Sequence, residues 1–548
     1  MIGELAERIW SHEQFHREAG ELRSYALRTR YVPSSKATHD VEMLLRLLRS
    51  AAVLAASRTR THRELAFQIA TAASEISDGL DGIAYILLLV LSRLGNFPAL
   101  NFAKRRFSIS EEGLPVRMVA EASTRTESNS IRLRESSIAL TDFQRELWDA
   151  LITGDSIGVS APTSAGKSYV LQTYARKLLS EQQVDNIAFL VPTRALINQV
   201  ADEVSQWLRS DGIEAELVTT PIPRDSALPA RAAYVVTQER MQLLQSAHPH
   251  LAFGAILIDE AQSLADGPRG VLLSSVIEDA LNRNPKTQLL FAGPNLRDPG
   301  KLSILFGKRA RSVVTDEATV VQNIIFVDCD EERPKSAEIS FLAEKQRVLL
   351  GTIECDQPLT DHRSKLVNLA LRLGGGGQNL IYALGPAECE NIAFGLADGD
   401  PKVESPELED LSSFIKEAVH PKYQLAVNVL QKVGFHYGRL PSLVRKAIED
   451  AFAQGHLQFL VTTSTLLYGV NLPAQNLFLH NPQKGKNQPI SPIDFWNLAG
   501  RAGRLGKEFT GNVFLIDYGQ WPNDPMSGER IKLCCPRSKI TSQGGPTN

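Results

Sequence analysis

The sequence of 548 residues is poor in the features that mark secreted, metal-binding and membrane proteins. Its five cysteines, Cys329, Cys355, Cys389, Cys534 and Cys535, lack the paired spacing of a metal site or of a secreted disulfide framework, so we expect reduced thiols. The longest apolar run, 82–92, is shorter than the roughly 20 residues that a bilayer-spanning helix needs. The first residues lead into a charged amphipathic helix instead of a signal peptide. We therefore expect a cytoplasmic protein without a membrane segment.

A strong positive charge is also absent. The formal net charge is −3, so binding to a polyanion would need a local basic groove. Arginine-rich segments at 58–63 and 104–106 fit either solvated helix faces, which we favour, or a nucleic-acid or partner surface. The apolar spacing of residues 1–135 predicts helices, and the polar segment 122–130 predicts a loop at the end of this region.

The most informative segment is 161–168, APTSAGKS, which lies between an apolar run at 156–160 and a helical pattern. Strand, small-residue loop, Lys-Ser and helix form the layout of a loop whose backbone N–H groups surround the phosphates of a nucleoside triphosphate. Ala161 stands where a first glycine is usual. The segment predicts a nucleotide site formed by Thr163, Ser164, Ala165, Gly166, Lys167 and Ser168.

A second segment, 255–262, reads AILIDEAQ. Its continuous apolar run predicts a strand that is buried on both faces of a parallel sheet, with the carboxylates at the edge where ligands bind. Asp259 would hold Mg²⁺ together with Ser168, and Glu260 would activate the attacking water. A helix-capping acidic pair is the alternative, which the order and spacing after the phosphate loop disfavour.

Two arginines near the other end, Arg501 and Arg504, lie in the segment NLAGRAGR. On a helix, their spacing would put both guanidinium groups on one face. Arginines flanked by small residues suit close approach to a phosphate. Alone, the segment also fits a solvated basic helix end. With the phosphate loop and the acidic pair, it predicts charge stabilisation during phosphoryl transfer.

These segments resemble the superfamily 2 nucleic-acid helicases, and most of all the branch with the exosome-associated RNA helicases and the archaeal repair helicases. Further motifs carry the resemblance in the expected order: 141–145 (TDFQR), 191–199 (VPTRALINQ), 236–240 (VTQER), 434–440 (GFHYGRL) and 462–473 (TTSTLLYGVNLP). The resemblance covers about 136–517.

The resemblance implies an α/β fold with two tandem RecA-like domains, parallel sheets covered by helices, preceded by an all-α N-terminal domain. The predicted boundaries are 1–135 for the helical domain, 136–320 and 321–518 for the RecA-like domains, and 519–548 for a disordered tail. Apolar runs at 313–314 and 324–327 predict a bridging hairpin between the RecA-like domains.

The resemblance also implies an ATP hydrolase that uses ATP and Mg²⁺. Its catalytic residues would be Lys167, Asp259, Glu260, Arg501 and Arg504. Gln144 would contact the adenine, and Gly469 and Asn471 would respond to the nucleotide state. The phosphodiester backbone would be held, without reading of sequence, by Thr193, Arg194, Thr237, Thr463, Ser464 and Thr465.

Three positions depart from the family pattern. The segment 291–295 (FAGPN) replaces the Ser-Ala-Thr motif that links hydrolysis to unwinding, Gln262 replaces a His, and Asn497 replaces a Gln.

The resemblance and these departures together leave two candidate functions. The first is a helicase or translocase on a DNA or RNA strand, with DNA slightly favoured. The second is an ATP-gated binding or remodelling subunit of a larger complex, for example a bacterial antiviral defence system with a nuclease subunit, that does not separate strands itself.

Overall fold

The computed structural model describes residues 2–32, 40–76, 81–109, 115–134, 136–265, 267–317, 319–343, 346–398, 404–466, 472–485, 488–504, 506–528 and 532–533. The chain divides into two compact units. One contains Met1–Ser130 and Ala318–Gly528, and the other contains Ile131–Glu317 and Glu529–Asn548. Among the described residues, every helix is too short or too polar to cross a membrane.

The N-terminal region is helical, as predicted. Its helices are α1 (Ile2–Trp10), α2 (Glu13–Tyr31), α3 (Val41–Leu54), α4 (Arg60–Ile76), α5 (Asp81–Arg93), α6 (Phe97–Arg106) and α7 (Val116–Asn129). The predicted loop at 122–130 is wrong, because α7 continues through this polar segment to Asn129. Most of its side chains face solvent, so the helix needs few apolar residues and its sequence looks like that of a loop.

The first α/β domain lies in the unit that starts at Ile131. Its elements, with β1 beginning one residue earlier, are β1 (Ser130–Leu133), β2 (Ser136–Ala139), α8 (Asp142–Leu151), β3 (Ser156–Ser160), α9 (Lys167–Ser180), β4 (Asn186–Leu190), α10 (Arg194–Ser210), β5 (Glu216–Val218), β6 (Ala232–Val236), α11 (Gln238–Ala247), β7 (Ala255–Ile258), α12 (Gly267–Arg283), β8 (Gln288–Gly293), β9 (Leu296–Arg297), α13 (Lys301–Ile304) and β10 (Ala310–Val314). Seven strands form a parallel sheet in the order β10-β3-β8-β7-β4-β6-β5. Both faces are covered, which is why β7 is apolar at every position.

The second α/β domain belongs to the other unit. Its elements are β11 (Val321–Cys329), β12 (Ser336–Ala343), β13 (Gln346–Glu354), α14 (His362–Leu373), β14 (Asn379–Tyr382), α15 (Pro386–Ala397), α16 (Pro406–Ala418), α17 (Leu425–Asn428), β15 (Val433–His436), α18 (Ser442–Gln454), β16 (Phe459–Thr462), β17 (Asn476–Leu479), β18 (Gln483–Gly485), β19 (Gln488–Pro489), α19 (Pro492–Ala499) and β20 (Thr510–Ile516). A short strand, β21 (Lys532–Leu533), follows near the end of the chain and belongs to the unit that contains the first α/β domain. Its sheet has eight strands in the order β13-β12-β11-β20-β17-β14-β16-β15, and β12 and β13 are antiparallel additions to a parallel sheet. The α/β fold with two such domains after helices is as predicted.

The predicted bridging hairpin is wrong. The run at 313–314 belongs to β10, which pairs with β3 in the first sheet. The run at 324–327 belongs to β11, which pairs with β20 and β12 in the second sheet. Each run joins a different sheet. A two-stranded hairpin is only marginally stable in water, whereas an apolar strand is stabilised when it adds to a sheet that helices already cover.

The N-terminal helices pack against the second α/β domain. Tyr31 meets Phe514 edge to face, with 5.4 Å between ring centroids. The Thr510 hydroxyl donates to the Glu75 carboxylate at 2.6 Å. Arg105, in the basic segment 104–106, donates to the backbone carbonyl of Gly506 at 3.2 Å. This arginine therefore holds the helical region against the segment that follows the arginine motif.

The segment predicted to be a disordered tail begins with packed residues. Trp521 is buried and its indole N–H donates to the carbonyl of Ile516 at 2.9 Å. Further on, β21 pairs in parallel with β9. Residues 534–548 of the predicted tail lie outside the described residues. The polar composition of this segment predicted disorder, and that prediction is wrong at Trp521 because its aromatic ring is buried.

Candidate nucleotide and strand sites

The phosphate loop joins β3 to α9 through a short 3₁₀ turn, Thr163–Ala165. Gly166 follows with φ of 76°, in the left-handed region that a residue with a Cβ adopts at a cost. A Cβ at this position would lie 2.4 Å from Nε2 of Gln144. The loop therefore needs glycine both for its backbone and for its contact with α8. Ala165 is buried beside it, and Ser164 is half-buried.

Gln144, the predicted adenine contact, is bound inside the protein. Its carboxamide oxygen accepts from the Thr141 backbone N–H at 3.0 Å, while Thr141 caps the same helix through its hydroxyl. Its amide nitrogen donates to the carbonyl of Ala165 at 3.1 Å. In this arrangement Gln144 fixes the position of the phosphate loop.

Lys167 lies at the first position of α9 and is 5% exposed. Its ammonium group donates to the carbonyls of Ala161 and Pro162, at 2.8 and 3.1 Å. Burial lowers the pKa of Lys167, and the charges of Asp259 and Glu260 oppose that shift. A buried cation thus lies on the loop, next to the acidic pair.

Asp259 follows β7 and faces the exposed Ser168 across the sheet edge. One carboxylate oxygen is 3.4 Å from the Ser168 hydroxyl, and the other accepts from the backbone N–H of Glu260 at 3.0 Å. Burial, and then the neighbouring Glu260 charge, raise the pKa of Asp259 to about 6, while Lys167 opposes the shift. A half-buried carboxylate with a raised pKa is a typical feature of a ligand site.

Glu260 has φ of 54°, an uncommon value for a residue with a side chain. Such a conformation costs about 1–3 kcal/mol and is most often retained at functional sites. Gln262, two residues on, donates from its amide nitrogen to the Glu260 carboxylate. The Gln262 oxygen is buried and lies where a Cβ on Gly293 would come within 2.5 Å, so the residue at 293 must be small.

The predicted strand-holding residues of the first domain cap two helices at the same sheet edge. Thr193 caps α10 by accepting from Leu196 N–H, and Thr237 caps α11 by accepting from Arg240 N–H. The two residues follow the neighbouring strands β4 and β6. Arg194 beside them is exposed.

Arg269, on α12, was missed by the sequence analysis. It donates to the carbonyl of Pro192 at 2.7 Å and pairs with Glu239 at 3.1 Å. These contacts join the loops of Thr193 and Thr237. The sequence around Arg269 contains no motif that marks this role.

In the second domain, the predicted strand-holding residues follow β16. Thr463 is buried, and Ser464 and Thr465 are half-buried at the start of a 3₁₀ turn, Ser464–Leu466. Gly469 and Asn471, predicted to respond to the nucleotide, lie outside the described residues.

The two arginines do not share a helix. The helix α19 ends at Ala499, and Arg501 and Arg504 lie in the segment that follows it, so the predicted common helical face is wrong. The small residues Gly500, Ala502 and Gly503 allow this segment to leave the helix. Arg504 is bound to Glu508, with Nη2 at 2.5 Å from the carboxylate and Nε at 3.0 Å, and it also contacts Gln378.

Two protein families match the chain in the order of these elements. The DEAD/DEAH box helicase family matches residues 141–301, and the helicase conserved C-terminal domain matches residues 414–506. The first match includes the phosphate loop and the acidic pair, and the second includes the strand-holding segment after β16 and both arginines.

Several curated proteins are similar. The ATP-dependent DNA helicase Hel308 of Thermoplasma volcanium is 25% identical over 385 residues, which are 67% of this chain and 51% of that protein. Anti-bacteriophage protein B of Escherichia coli is 26% identical over 401 residues, 71% of this chain and 48% of that protein. The DExH-box ATP-dependent RNA helicase DExH12 of Arabidopsis thaliana is 26% identical over 418 residues, 69% of this chain and 18% of that protein.

The chain thus spans about half the length of the first two of these relatives, and less of the third. The two α/β domains, the phosphate loop beside an acidic pair, and the two family matches in sequence order agree with one another. DEAD/DEAH helicase domains imply the use of ATP. Together these matches support a superfamily 2 helicase of the Ski/Hel308 type.

Proposed function

We propose that this chain is an ATP-dependent nucleic-acid motor that couples ATP hydrolysis to movement along a DNA or RNA strand. One observation carries the proposal. Lys167, Ser168, Asp259 and Glu260 lie together at the edge of one parallel sheet, and the helix-capping Thr193 and Thr237 end other strands of that sheet. Groups suited to bind a triphosphate and groups suited to bind a phosphodiester backbone therefore lie at the edge of the same sheet.

The residues at this edge fit Mg²⁺ and a triphosphate. Mg²⁺ prefers hard oxygen ligands and keeps several waters, so one or two protein oxygens suffice when phosphates supply others. Ser168 and Asp259 offer such oxygens 3.4 Å apart. Among the described residues, no group of three or more His, Cys, Asp and Glu side chains could hold a metal by itself. Bound Mg²⁺ would neutralise charge on the β- and γ-phosphate oxygens.

The protein groups have distinct proposed roles. Lys167 exchanges its two backbone carbonyl partners for phosphate oxygens, and the Gly166 N–H belongs to the loop that surrounds them. Glu260 accepts a proton from the attacking water, and its hydrogen bond from Gln262 limits the directions in which its carboxylate can point. Arg501 and Arg504 stabilise charge on the transferred phosphoryl group, for which Arg504 must release Glu508.

The strand would be held by its phosphates. Thr193, Arg194 and Thr237 in the first domain, and Thr463, Ser464 and Thr465 in the second, are proposed to contact the backbone, so binding would be largely independent of base sequence. The similar proteins include one named as a DNA helicase and one named as an RNA helicase. We propose DNA as the preferred polymer and the cytoplasm as the compartment.

The test is ATP hydrolysis by the purified chain, alone and with single-stranded DNA, single-stranded RNA or duplex. We expect one polymer to stimulate hydrolysis strongly and Glu260→Gln to abolish the stimulated rate. Glu181→Gln, an exposed carboxylate of the same domain, is the matched control and should behave like the wild type. Equal rates with and without every polymer would contradict a nucleic-acid motor.

A second function is favoured by the segment that replaces Ser-Ala-Thr. Phe291 is fully buried, and Gly293 faces the Gln262 oxygen, so no hydroxyl of this segment lies at the acidic pair. A motor without that link would hydrolyse ATP and remodel complexes without separating strands. One similar protein is named for anti-bacteriophage activity. We propose a defence assembly, with a nuclease subunit as the partner of this chain. Stimulated hydrolysis without unwinding of a tailed duplex would favour this function over a helicase.

A further inference from the structure

The N-terminal helices α4 and α6 contact a short segment, 506–510, that directly follows the two arginines. Within it, Phe509 is 2% exposed. Phe102 of α6 meets the Phe509 ring edge to face, with 4.8 Å between the ring centroids. The guanidinium carbon of Arg106 lies 5.6 Å from the centroid of the same ring. Both contacts are attractive, the second because a cation is drawn to the face of an aromatic ring, so Phe509 is bound to α6.

Two hydrogen bonds hold the chain on either side of Phe509. Arg105 donates to the carbonyl of Gly506 at 3.2 Å. The buried Thr510 hydroxyl donates to the carboxylate of Glu75, on α4, at 2.6 Å. Ring packing, cation attraction and hydrogen bonds from the helical region therefore converge on one segment of the second domain.

This segment carries the turn that holds Arg504. The backbone N–H groups of Lys507 and Glu508 donate to the carbonyl of Arg504 at 3.1 and 3.0 Å, and the Glu508 carboxylate accepts from the Arg504 backbone N–H at 3.0 Å. These bonds involve the main chain of Arg504, so they persist when its guanidinium group releases Glu508. The position of 506–510 therefore sets the point from which the Arg504 side chain extends.

The helical region is also attached to this domain at other places. Tyr31 meets Phe514 edge to face at 5.4 Å, and Arg28 donates to the carbonyl of Leu349 on β13 at 2.9 Å. Phe514 lies four residues beyond Thr510 along β20, which corresponds to roughly 13 Å. The contacts at 506–510 differ from these because they lie where a displacement of about 1 Å changes the reach of a charge-stabilising arginine.

We propose that α4 and α6 position Arg504 for phosphoryl transfer, with Phe102, Arg105 and Glu75 as positioning residues that act through 506–510. This inference rests on the proposed function. The three residues do not touch the nucleotide. They raise kcat for ATP hydrolysis by fixing the main chain of Arg504, and they contribute nothing to nucleotide affinity.

Two aromatic substitutions separate this role from simple attachment. Strand-stimulated ATP hydrolysis by the full chain is measured for Phe102→Ala and for Tyr31→Ala, which removes the same kind of contact from Phe514. We expect Phe102→Ala to lower kcat about tenfold with KM within about twofold, and Tyr31→Ala to leave both within about twofold. Tyr31 is 2% exposed and Phe102 is half-buried, so the control should lose at least as much stability in thermal unfolding. Equal falls in kcat, or no fall in Phe102→Ala, overturn the inference.

A pair of arginine substitutions gives a second test if Phe102→Ala does not fold. Arg105→Ala removes the hydrogen bond to the Gly506 carbonyl, and Arg28→Ala removes one to the Leu349 carbonyl. We expect Arg105→Ala to lower kcat about threefold without a change in KM, and Arg28→Ala to behave like the wild type. A loss of the same size in both variants overturns the inference.

A double variant tests whether the effect passes through Arg504. Arg504→Gln removes the charge but keeps an amide that can donate to Glu508. Adding Phe102→Ala to Arg504→Gln should lower kcat no further, because the positioned group is already gone, and additive losses overturn the inference. A wild type that hydrolyses no ATP with any polymer contradicts the proposed function, and this inference with it, before any variant is compared.

Discussion

The two α/β domains arrange parallel strands alike, but the charged groups at their sheet edges are held in different ways. In the first domain, Lys167 is buried and Asp259 is half-buried next to Glu260, and the pKa of Asp259 is raised to about 6. In the second domain, Asp517 at the end of β20 is paired with Lys365 at 2.7 Å, and Arg504 is paired with Glu508.

This difference indicates which of the two sheet edges carries charge that a bound ligand would compensate. A half-buried carboxylate whose pKa is raised has a charge that the fold does not fully compensate, so binding of a cation there is favourable. A carboxylate paired with lysine gains less from an added cation. This contrast is consistent with the proposal that Mg²⁺ and phosphates bind at the first edge and that the hydroxyls of Thr463 and Thr465 serve at the second. Four substitutions test this difference between the two edges.

The largest effect is expected at Glu260. Glu260→Gln removes the proposed proton acceptor without changing the side-chain size, so ATP hydrolysis should fall about 10²- to 10⁴-fold. Nucleotide affinity should stay within about threefold, because Glu260 has no proposed contact with the phosphates in the ground state. Phosphate release and calorimetric ATP binding measure the two quantities. A comparable fall in Glu181→Gln would show that the loss is not specific to this edge.

The phosphate loop should be sensitive to a single methyl group at Gly166. Gly166→Ala adds left-handed backbone strain and a Cβ 2.4 Å from Gln144 Nε2, so ATP affinity should fall about thirtyfold, or about 2 kcal/mol. Gly212→Ala is the matched control. Its φ is 58°, and a Cβ there meets nothing within 4 Å. Gly212→Ala should lose stability only through its left-handed backbone strain, so a loss of ATP affinity in Gly212→Ala would contradict the specific role of the loop.

The second edge should respond to pH through His480, which ends β17 and stacks on His362 with 4.4 Å between ring centroids. Burial, and then His362, lower the pKa of His480 from 6.5 to about 4, while Asp517 opposes the shift. Between these values the unfolded chain binds a proton that the folded chain does not. The free energy of unfolding should therefore fall as pH decreases from about 6.5 toward 4, by about 2 kcal/mol between pH 7 and 5.

His480→Asn should flatten this pH dependence, because asparagine does not titrate in the window. Thermal unfolding of the wild type and the variant at about pH 7 and pH 5 provides the measurement. His12→Asn, at an exposed histidine of the same unit, is the control and should retain the wild-type slope. An unchanged slope in His480→Asn would show that the pH response comes from elsewhere.

The smallest effect is expected at Arg269, which joins the loops of Thr193 and Thr237. Its side chain is 53% exposed, so its ion pair with Glu239 is weak. Arg269→Gln should weaken strand binding about threefold, or about 0.6 kcal/mol, because the Pro192 carbonyl before Thr193 loses its hydrogen bond from Arg269. Anisotropy with a labelled strand measures the change. Arg209→Gln, whose side chain bonds within its own helix, should leave binding unchanged.

The amino-acid sequence was sufficient to predict the α/β class, the N-terminal helices and the local chemistry of the phosphate loop. These depend on short-range patterns: apolar runs that need burial on two faces, and Gly166-Lys167-Ser168 at a strand-to-helix turn. The acidic pair was predictable for the same reason, since it follows the buried run of β7. Family resemblance supplied the proposed roles of the individual residues.

The tertiary structure alone decided the contacts between distant segments. It placed the Gln144 amide on the loop carbonyl of Ala165, joined Arg504 to Gln378, and put His436 between Glu449 and Thr465. It also ended α19 before Arg501 and sent β10 and β11 into different sheets. Such contacts depend on which strands become neighbours in a sheet. The free energy of strand pairing comes from packing between residues that are far apart in the sequence, so local sequence patterns do not predict it.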